Sequence, residues 1–319
     1  MERKAKGEEN FKIYKQFQIF RREMTKRQKQ TYIVVFQIFN IELTLLRFRY
    51  LFFLAYLSVK TDSLRRFFRQ FSHNLVAKEK MTTMSAEKLK AQLLAAANAT
   101  KARDLLRFFK TGKGEYGEGD LFIGVTVPTN RAITRQYLHL PVEQLIPLLR
   151  CDIHEVRLSA LICMVEQYKS RRTSEQQRQE IADTYIANTR YINNWDLVDL
   201  SVYHIIGAHL QHRDRSLLYR WAQSSSLWEQ RISFVATMWF IRQGEYDDTI
   251  RLAEQLCHHP HDLIQKAVGW LLREVGKRDI NPLTDFLDTH YTTLPRTLLR
   301  YAIERLPVEQ RKHYMARKA

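Results

Sequence analysis

The chain has 319 residues, of which 51 are lysine or arginine and 34 are aspartate or glutamate, so its formal net charge is +17. Ten glycines and seven prolines are few for this length. Their low number excludes collagen-like and Pro/Gly-rich disordered classes of protein and disfavours a turn-dense β-sandwich or barrel. Three scattered cysteines without a CxxC pair argue against a disulfide framework and a common zinc site, and they suit a reduced, cytoplasmic compartment. The basic excess suggests a polyanionic partner.

Residues 1–80 differ in composition from the rest of the chain. They hold 18 basic and 7 acidic residues and 11 of the 17 phenylalanines, with one glycine and no proline, tryptophan or cysteine. Their apolar runs are shorter than the roughly 20 residues that a membrane-spanning helix needs. The pattern of a signal peptide is also a poor match near Met1.

Three interpretations of residues 1–80 compete: a membrane-surface amphipathic segment, a helical extension packed on the main domain, or a stretch translated upstream of the real start. Phe, Ile, Lys, Tyr and Leu are what A/T-rich DNA encodes, and Met81 and Met84 stand where an ordinary soluble sequence begins. We favour the third interpretation. The functional domain is therefore expected over residues 81–319, and residues 1–80 are expected to be dispensable.

From Met84 onward the spacing of apolar residues predicts helices. Ser85 is a suitable N-cap for a helix that runs to Ala97, a short helix follows over 104–110, and Pro128 opens another after a glycine-rich loop. Further helices are predicted over 141–149, 153–168, 175–189, 194–210, 213–223, 227–242, 245–257, 261–276, 279–290, 295–306 and 308–316. One helix pair per roughly 35 to 45 residues predicts an all-α, HEAT-like helical-repeat α-solenoid with a concave face, with a compact bundle as the alternative.

Two short motifs invite a ligand interpretation that their context does not support. Residues 112–117 match GxGxxG, but a dinucleotide site requires that motif between a strand and a helix, whereas here it follows a helix. We expect a helix end and a surface loop, in which Lys110 and Lys113 could lie along a phosphate backbone. The stretch CHHPH at residues 257–261 fits no common zinc spacing, so no metal site is expected.

Asp199 is a carboxylate on an apolar helix face. Asn194 is a suitable cap for this helix, and Trp195 and Asp199 are four residues apart and therefore share a face. A desolvated carboxylate could stabilise developing positive charge strongly, because little water screens it. The alternative is a solvated aspartate near a helix N-terminus, where the helix dipole favours it.

Arg231 and Trp270 also stand beside apolar stripes. Arg231 follows Trp228 by three residues, and it either covers apolar surface with its stem or aims its guanidinium into a groove. Trp270 lies between Lys266 and Arg273 on the less apolar side of its helix, which suits either a nucleic-acid contact or burial against the next helical layer.

Several blocks of residues between about 84 and 314 together resemble one family, the AlkD-like DNA alkylation repair glycosylases. The blocks are FFKTG at 108–112, EYGEGD at 115–120, GVTVP at 124–128, NWDLVD at 194–199, QRI at 230–232, IRQG at 241–244 and DLIQKAVGWLLREVGK at 262–277. Together they are far more specific than any single short motif.

The resemblance implies a HEAT-like solenoid that grips duplex DNA and removes purines alkylated at N3 or N7, such as 3-methyladenine and 7-methylguanine. It implies Asp199 as the catalytic aspartate, Trp195 and Trp270 as groove-lining tryptophans, and Arg231 as the active-site arginine. Our candidates for phosphate contacts are Lys266, Arg273, Lys110 and Lys113. No metal, organic cofactor or membrane is implied, and we expect a monomer. The main alternative is a non-catalytic DNA-binding or scaffold solenoid.

Overall fold

The computed structural model describes residues 85–316, which fall in the second of two units of the chain, Met81–Ala319. The interpretations of residues 1–80 and of a start at Met81 or Met84 lie outside the described residues. Within 85–316 the chain is helical, and its only strand-like pairing is one parallel bridge between Leu121 and Ile153. The all-α prediction is confirmed.

The helices follow one another with short connections. In chain order they are α1 Ala86–Ala95, α2 Ala99–Phe108, α3 Val127–Thr134, α4 Val142–Leu149, α5 His154–Lys169, α6 Glu175–Ala187, α7 Trp195–Val202, α8 Ser216–Ala222, α9 Leu227–Ala236, α10 Met238–Arg242, α11 Asp247–Leu256, α12 Asp262–Gly276, α13 Ile280–His290, α14 Arg296–Ala302 and α15 Val308–Met315.

Several helices begin at a side-chain cap, and two of these caps match the sequence prediction. The Ser85 hydroxyl accepts a hydrogen bond from the backbone N–H of Lys88, and the Asn194 amide oxygen accepts one from the N–H of Trp195. The helix predicted over 104–110 instead begins at Ala99, because Asn98 caps it one turn earlier. Two further caps, Thr126 for α3 and Ser174 for α6, bind backbone N–H groups in the same way.

Two long predicted helices are interrupted. The one predicted over 194–210 is α-helical only to Val202 and continues as a π-helical turn over Tyr203–Gly207. The one predicted over 227–242 divides at Thr237, whose hydroxyl donates a hydrogen bond to the Phe234 carbonyl. A π-turn inserts one extra residue, so it rotates the side chains that follow it relative to Trp195 and Asp199.

Five helices pack side by side in one continuous row, which we call the inner layer. In it α5 packs on α7, α7 on α9, α9 on α12 and α12 on α14, and the helices α4, α8 and α13 each pack on one member of this row. This arrangement is that of a helical-repeat solenoid, in which each repeat contacts its neighbours. Helix α5 is buried nearly all round. No helix of residues 85–316 combines the length and apolarity needed to cross a bilayer.

Gly269 lets α12 and α14 approach closely. A Cβ atom at this position would lie 2.4 Å from the Leu298 carbonyl oxygen and 2.5 Å from the Cβ of Tyr301. Both distances are far inside van der Waals contact, so only glycine fits here. The close approach sets the position of the neighbouring residue on α12, Trp270, relative to Tyr301 on α14.

Candidate functional site

Four successive helices of the inner layer and the glycine-rich loop line one groove. Its volume is about 600 Å³. The groove brings together seven of the eight residues that the sequence proposed for the site: Trp195, Asp199, Arg231, Lys266, Trp270, Arg273 and Lys110. Lys113 is exposed and does not line it. Phe108, Tyr116, Asp262, Leu263 and Tyr301 complete the lining.

Asp199 and Arg231 form a bidentate ion pair between α7 and α9. The guanidinium Nε donates to Oδ1 of Asp199 at 3.0 Å, and Nη2 donates to Oδ2 at 2.8 Å. Nη1 donates to the backbone carbonyl of Leu263 at the start of α12. The Arg231 side chain is buried, so it does not cover the surface with its stem, and three of its donors serve the protein itself. Arg231 therefore orients the carboxylate.

The environment of Asp199 opposes its ionisation. Burial raises the pKa of the Asp199 carboxyl above its ordinary value, the Arg231 guanidinium works in the opposite direction, and the nearby Asp196 carboxylate adds to the rise. One fifth of the Asp199 side chain remains accessible from the groove. The carboxylate is thus largely desolvated, held in one orientation, and open to a ligand on one side.

Trp195 packs against a cluster of aromatic side chains. Its ring stacks on that of Phe109 at a centroid distance of 5.5 Å and an interplanar angle of 28°. Phe108 meets it edge-on at 6.0 Å and is 63% exposed, which is unusual for an aromatic side chain. Tyr116, carried into the groove by the glycine-rich loop, donates its hydroxyl to the Phe108 carbonyl at 3.4 Å. These contacts leave the indole partly accessible in the groove.

Trp270 of α12 lines the same groove as Trp195 and Asp199 of α7. It is also partly buried against the core, as one of the two alternatives from the sequence expected, and a nucleic-acid contact by its exposed part stays a prediction. Tyr301 of α14 also lines the groove and is 37% exposed. The groove that holds the carboxylate is therefore lined by aromatic side chains from three helices of the layer.

The basic side chains of the groove differ in how they are paired. Lys266 donates to Asp262 at 2.8 Å, and this hydrogen bond raises the pKa of its amine. Arg273 is paired with Glu304, in the turn that follows α14. The ammonium of Lys110 forms no ion pair with any residue of 85–316, and the left-handed backbone of this residue, with φ of 50°, ends the α2 segment beside the groove.

The two short motifs have structural roles. Gly114, Gly119 and Gly124 have φ between 77° and 88°, so the glycine-rich segment is a loop that needs left-handed conformations, as expected. In the 257–261 stretch, Cys257 is buried and the His261 ring accepts a hydrogen bond from the Leu263 N–H as the cap of α12. Residues 85–316 contain no group of three or more His, Cys, Asp or Glu side chains arranged to hold a metal ion.

Sequence reasoning missed a buried polar network behind the groove. It joins Asp120, His154, Arg157 and Asp196, which come from the glycine-rich loop, α5 and α7. The available signal was a set of three charged or titratable residues, His154, Glu155 and Arg157, in the first turn of a helix whose middle is apolar. All three are buried, and such side chains need partners. His154 and Arg157 bind Asp120 in the loop, and Glu155 accepts from backbone N–H groups of the same loop.

The fold and the groove define a helical-repeat protein with a buried carboxylate–guanidinium pair between aromatic walls. The sequence model of the family described as DNA alkylation repair enzyme matches residues 89–306, more than half of the chain. The chain therefore belongs to the DNA alkylation repair enzyme family, which supports a role for it as an enzyme of DNA repair and confirms the resemblance seen in the sequence.

A solved structure from Enterococcus faecalis, described as a predicted DNA alkylation repair enzyme, has the same fold. It aligns with 66% of this chain and 97% of its own, with a TM-score of 0.52 and 16% sequence identity. At this identity the similarity shows the fold alone. No curated protein matches the chain by sequence.

Proposed function

We propose that this protein is a DNA glycosylase that hydrolyses the N-glycosidic bond of cationic N3- and N7-alkylated purines in duplex DNA. The observation that carries the proposal is the Asp199 carboxylate, fixed by Arg231 and open to a groove between Trp195 and Trp270. The groove is open rather than enclosed, and it follows the inner helical layer, which suits an elongated ligand such as a duplex.

The chemistry needs one well-placed carboxylate. An alkylated purine that already carries a positive charge needs no general acid, because the C1′–N bond breaks with its electron pair going to the base, which leaves neutral. The deoxyribose then carries oxocarbenium-like positive charge, which the Asp199 carboxylate stabilises. Water adds its oxygen to C1′, and its proton passes to solvent.

The aromatic walls and the basic residues have separate tasks in this proposal. Trp195 and Trp270 contact the sugar and backbone beside the lesion and add cation–π stabilisation to the developing charge. Lys110, Lys266 and Arg273 hold phosphates. The reaction uses protein groups and water, with no metal or organic cofactor, and we propose that a monomer performs it.

The test is the release of free base from methylated duplex DNA by the purified full chain. We expect 7-methylguanine and 3-methyladenine to appear in the soluble fraction in proportion to enzyme concentration, as measured by chromatography. The Asp199→Asn variant, purified in the same way, is the control for contaminating glycosylases. A protein that binds the duplex but releases no base would refute the glycosylase and support the scaffold alternative.

Lys110 should contribute more to the salt dependence of binding than the exposed Lys113. Each phosphate contact adds a slope of about −0.9 to log K against log salt concentration. Because Lys110 lines the groove without an ion-pair partner among residues 85–316, Lys110→Ala should flatten the slope by about 0.9. Lys113→Ala is the matched control and should leave it unchanged. Equal effects of the two changes, measured by fluorescence anisotropy, would contradict this assignment.

Trp270→Ala should lower excision of 7-methylguanine without changing the salt slope. The indole carries no charge, so its loss removes a contact with the sugar but leaves the number of released counterions, and therefore the salt slope, unchanged. We expect a fall of about tenfold or more in single-turnover rate, since an aromatic contact of this kind is worth roughly 1–3 kcal/mol. Thermal unfolding should be measured in parallel, because Trp270 is partly buried. Excision at the wild-type rate would show that Trp270 acts only in packing.

A further inference from the structure

His154 is buried between two carboxylates at the start of α5. Its side chain is almost fully removed from solvent, with Nε2 at 2.9 Å from Oδ2 of Asp196 and Nδ1 at 3.4 Å from Oδ2 of Asp120. Ionised carboxylates only accept hydrogen bonds, so both ring nitrogens must donate. The geometry therefore calls for the doubly protonated, cationic imidazolium.

The partners of His154 are themselves fixed. Arg157 donates to Oδ1 of Asp120 at 2.6 Å, and the amides of Asn193 and Asn194 donate to the same carboxylate at 3.1 Å each. Burial lowers the pKa of the His154 imidazole, but the two carboxylates more than offset burial and raise it to about 8. At neutral pH the imidazolium is the main form.

The same ring belongs to an aromatic cluster that packs against Trp195. The rings of His154, Phe122 and Phe109 contact one another, with centroid distances of 4.5 Å for His154 and Phe122, 5.0 Å for Phe122 and Phe109, and 5.1 Å for Phe109 and His154. Phe109 in turn stacks on Trp195 at 5.5 Å. The buried imidazole is therefore enclosed by carboxylates and aromatic rings behind the groove.

Asp196 connects the network to the reacting carboxylate. It precedes Asp199 by three residues on α7, so the two side chains lie on neighbouring positions of one helix face. A negative charge on Asp196 makes ionisation of Asp199 harder. A cation bound to Asp196 cancels this effect.

We propose that His154 is a positioning residue for excision: its imidazolium neutralises the Asp196 carboxylate beside Asp199. The inference rests on the proposed function, since it takes Asp199 as the reacting carboxylate. His154 touches neither the groove nor the substrate. It acts through Asp196.

The titratable and charged groups around the two residues are few. Those that face His154 are Asp120 from the loop, Arg157 from its own helix and Asp196 from α7. Those that face Asp199 or its groove are Asp196, Tyr185, Arg231, Lys110, Tyr116, His261, Asp262, Lys266, Arg273 and Tyr301. Of these, burial lowers the pKa of His261. A transition that is present in wild type and absent from His154→Gln therefore identifies His154.

The first test is the pH dependence of excision in a double-mutant cycle. At pH 6, His154→Gln should release 7-methylguanine about tenfold more slowly than wild type, because Asp196 is left unneutralised. At pH 9 the wild-type ring is neutral, so the two rates should agree within about threefold. Because the variant and wild-type rates are compared at the same pH, any effect of pH on the substrate cancels in their ratio.

In an Asp196→Asn background the same His154→Gln change should cost less than about twofold at pH 6, because the carboxylate beside Asp199 that His154 neutralises is gone. The asparagine keeps the side-chain oxygen that accepts from the Leu197 N–H. A loss that is equal at pH 6 and pH 9, or unaltered by Asp196→Asn, would mean that His154 acts only in packing and would overturn the proposal.

A second test requires no activity and no folded His154 variant. Proton NMR of the free, full chain should show the His154 ring titrating near pH 8, and Asp196→Asn should move that titration to lower pH. An unmoved titration would overturn the inference. If wild-type protein releases no base while the titration shifts as expected, the proposed function fails and the assignment of the imidazolium stands.

Discussion

Asp199→Asn should reduce the single-turnover release of 7-methylguanine by about 10²-fold or more, since removing the main electrostatic stabilisation of a transition state costs about that much. The amide has nearly the shape of the carboxylate but carries no charge, so it cannot stabilise an oxocarbenium-like sugar. Affinity for duplex DNA should stay within a few-fold of wild type, because Asp199 makes no phosphate contact. Base release and anisotropy on the same oligonucleotide measure both quantities.

Asp262→Asn is the matched control for this change. Asp262 lines the same groove but pairs with Lys266 and lies about half exposed, so its charge is well solvated. We expect a loss of less than about tenfold, because an exposed carboxylate contributes little electrostatic stabilisation. If Asp199→Asn retains activity within a factor of about three of wild type, Asp199 is not the key group. If both changes abolish excision, the groove as a whole and not Asp199 specifically is required.

Arg231→Met should have the largest effect on stability, about 3 kcal/mol, because it leaves the largely buried Asp199 carboxylate without its partner. The change also removes the cation that favours ionisation of Asp199, so excision at neutral pH should fall together with stability and recover in part as pH rises. Urea unfolding and the pH profile of base release measure the two effects.

Two further variants separate charge from geometry at this position. Arg231→Lys keeps the charge but cannot donate two parallel N–H bonds to one carboxylate, so its effects should lie between those of wild type and methionine. In the double variant Arg231→Met with Asp199→Asn, no unpaired charge remains, and part of the lost stability should return. Strictly additive losses would show that the two side chains are not coupled in the folded protein.

The sequence predicted the helices well because helix formation depends on local spacing. The shared face of Trp195 and Asp199, and the cap at Asn194, follow from residues within one or two turns. The same local rules could not foresee the π-turn after Val202, since a long apolar run reads as an uninterrupted helix. The sequence also missed the early start of α2, directly after its cap Asn98, because a largely polar first turn hides the helical pattern.

The pairings across the site could not be predicted from spacing. Asp199 and Arg231 were both identified, but their direct ion pair depends on how α7 packs on α9. The network of His154 with Asp120 and Asp196 joins positions 34 and 42 residues apart, and nothing local to any one of them indicates the others. Lys113 is an example of the opposite error. It was chosen because it is a basic residue within the glycine-rich motif, but it does not line the groove.

The row of helices that forms the inner layer has a mechanical consequence for the groove. The carboxylate, the guanidinium and the two tryptophans that line it come from three consecutive helices of that layer, α7, α9 and α12, and Gly269 fixes the step to α14. No single repeat contains all four side chains. The width of the groove is set by the rise and twist between neighbouring helices, so a bend along this part of the layer would widen or narrow it. The distances across the groove therefore depend on how the repeats stack and not on any one helix.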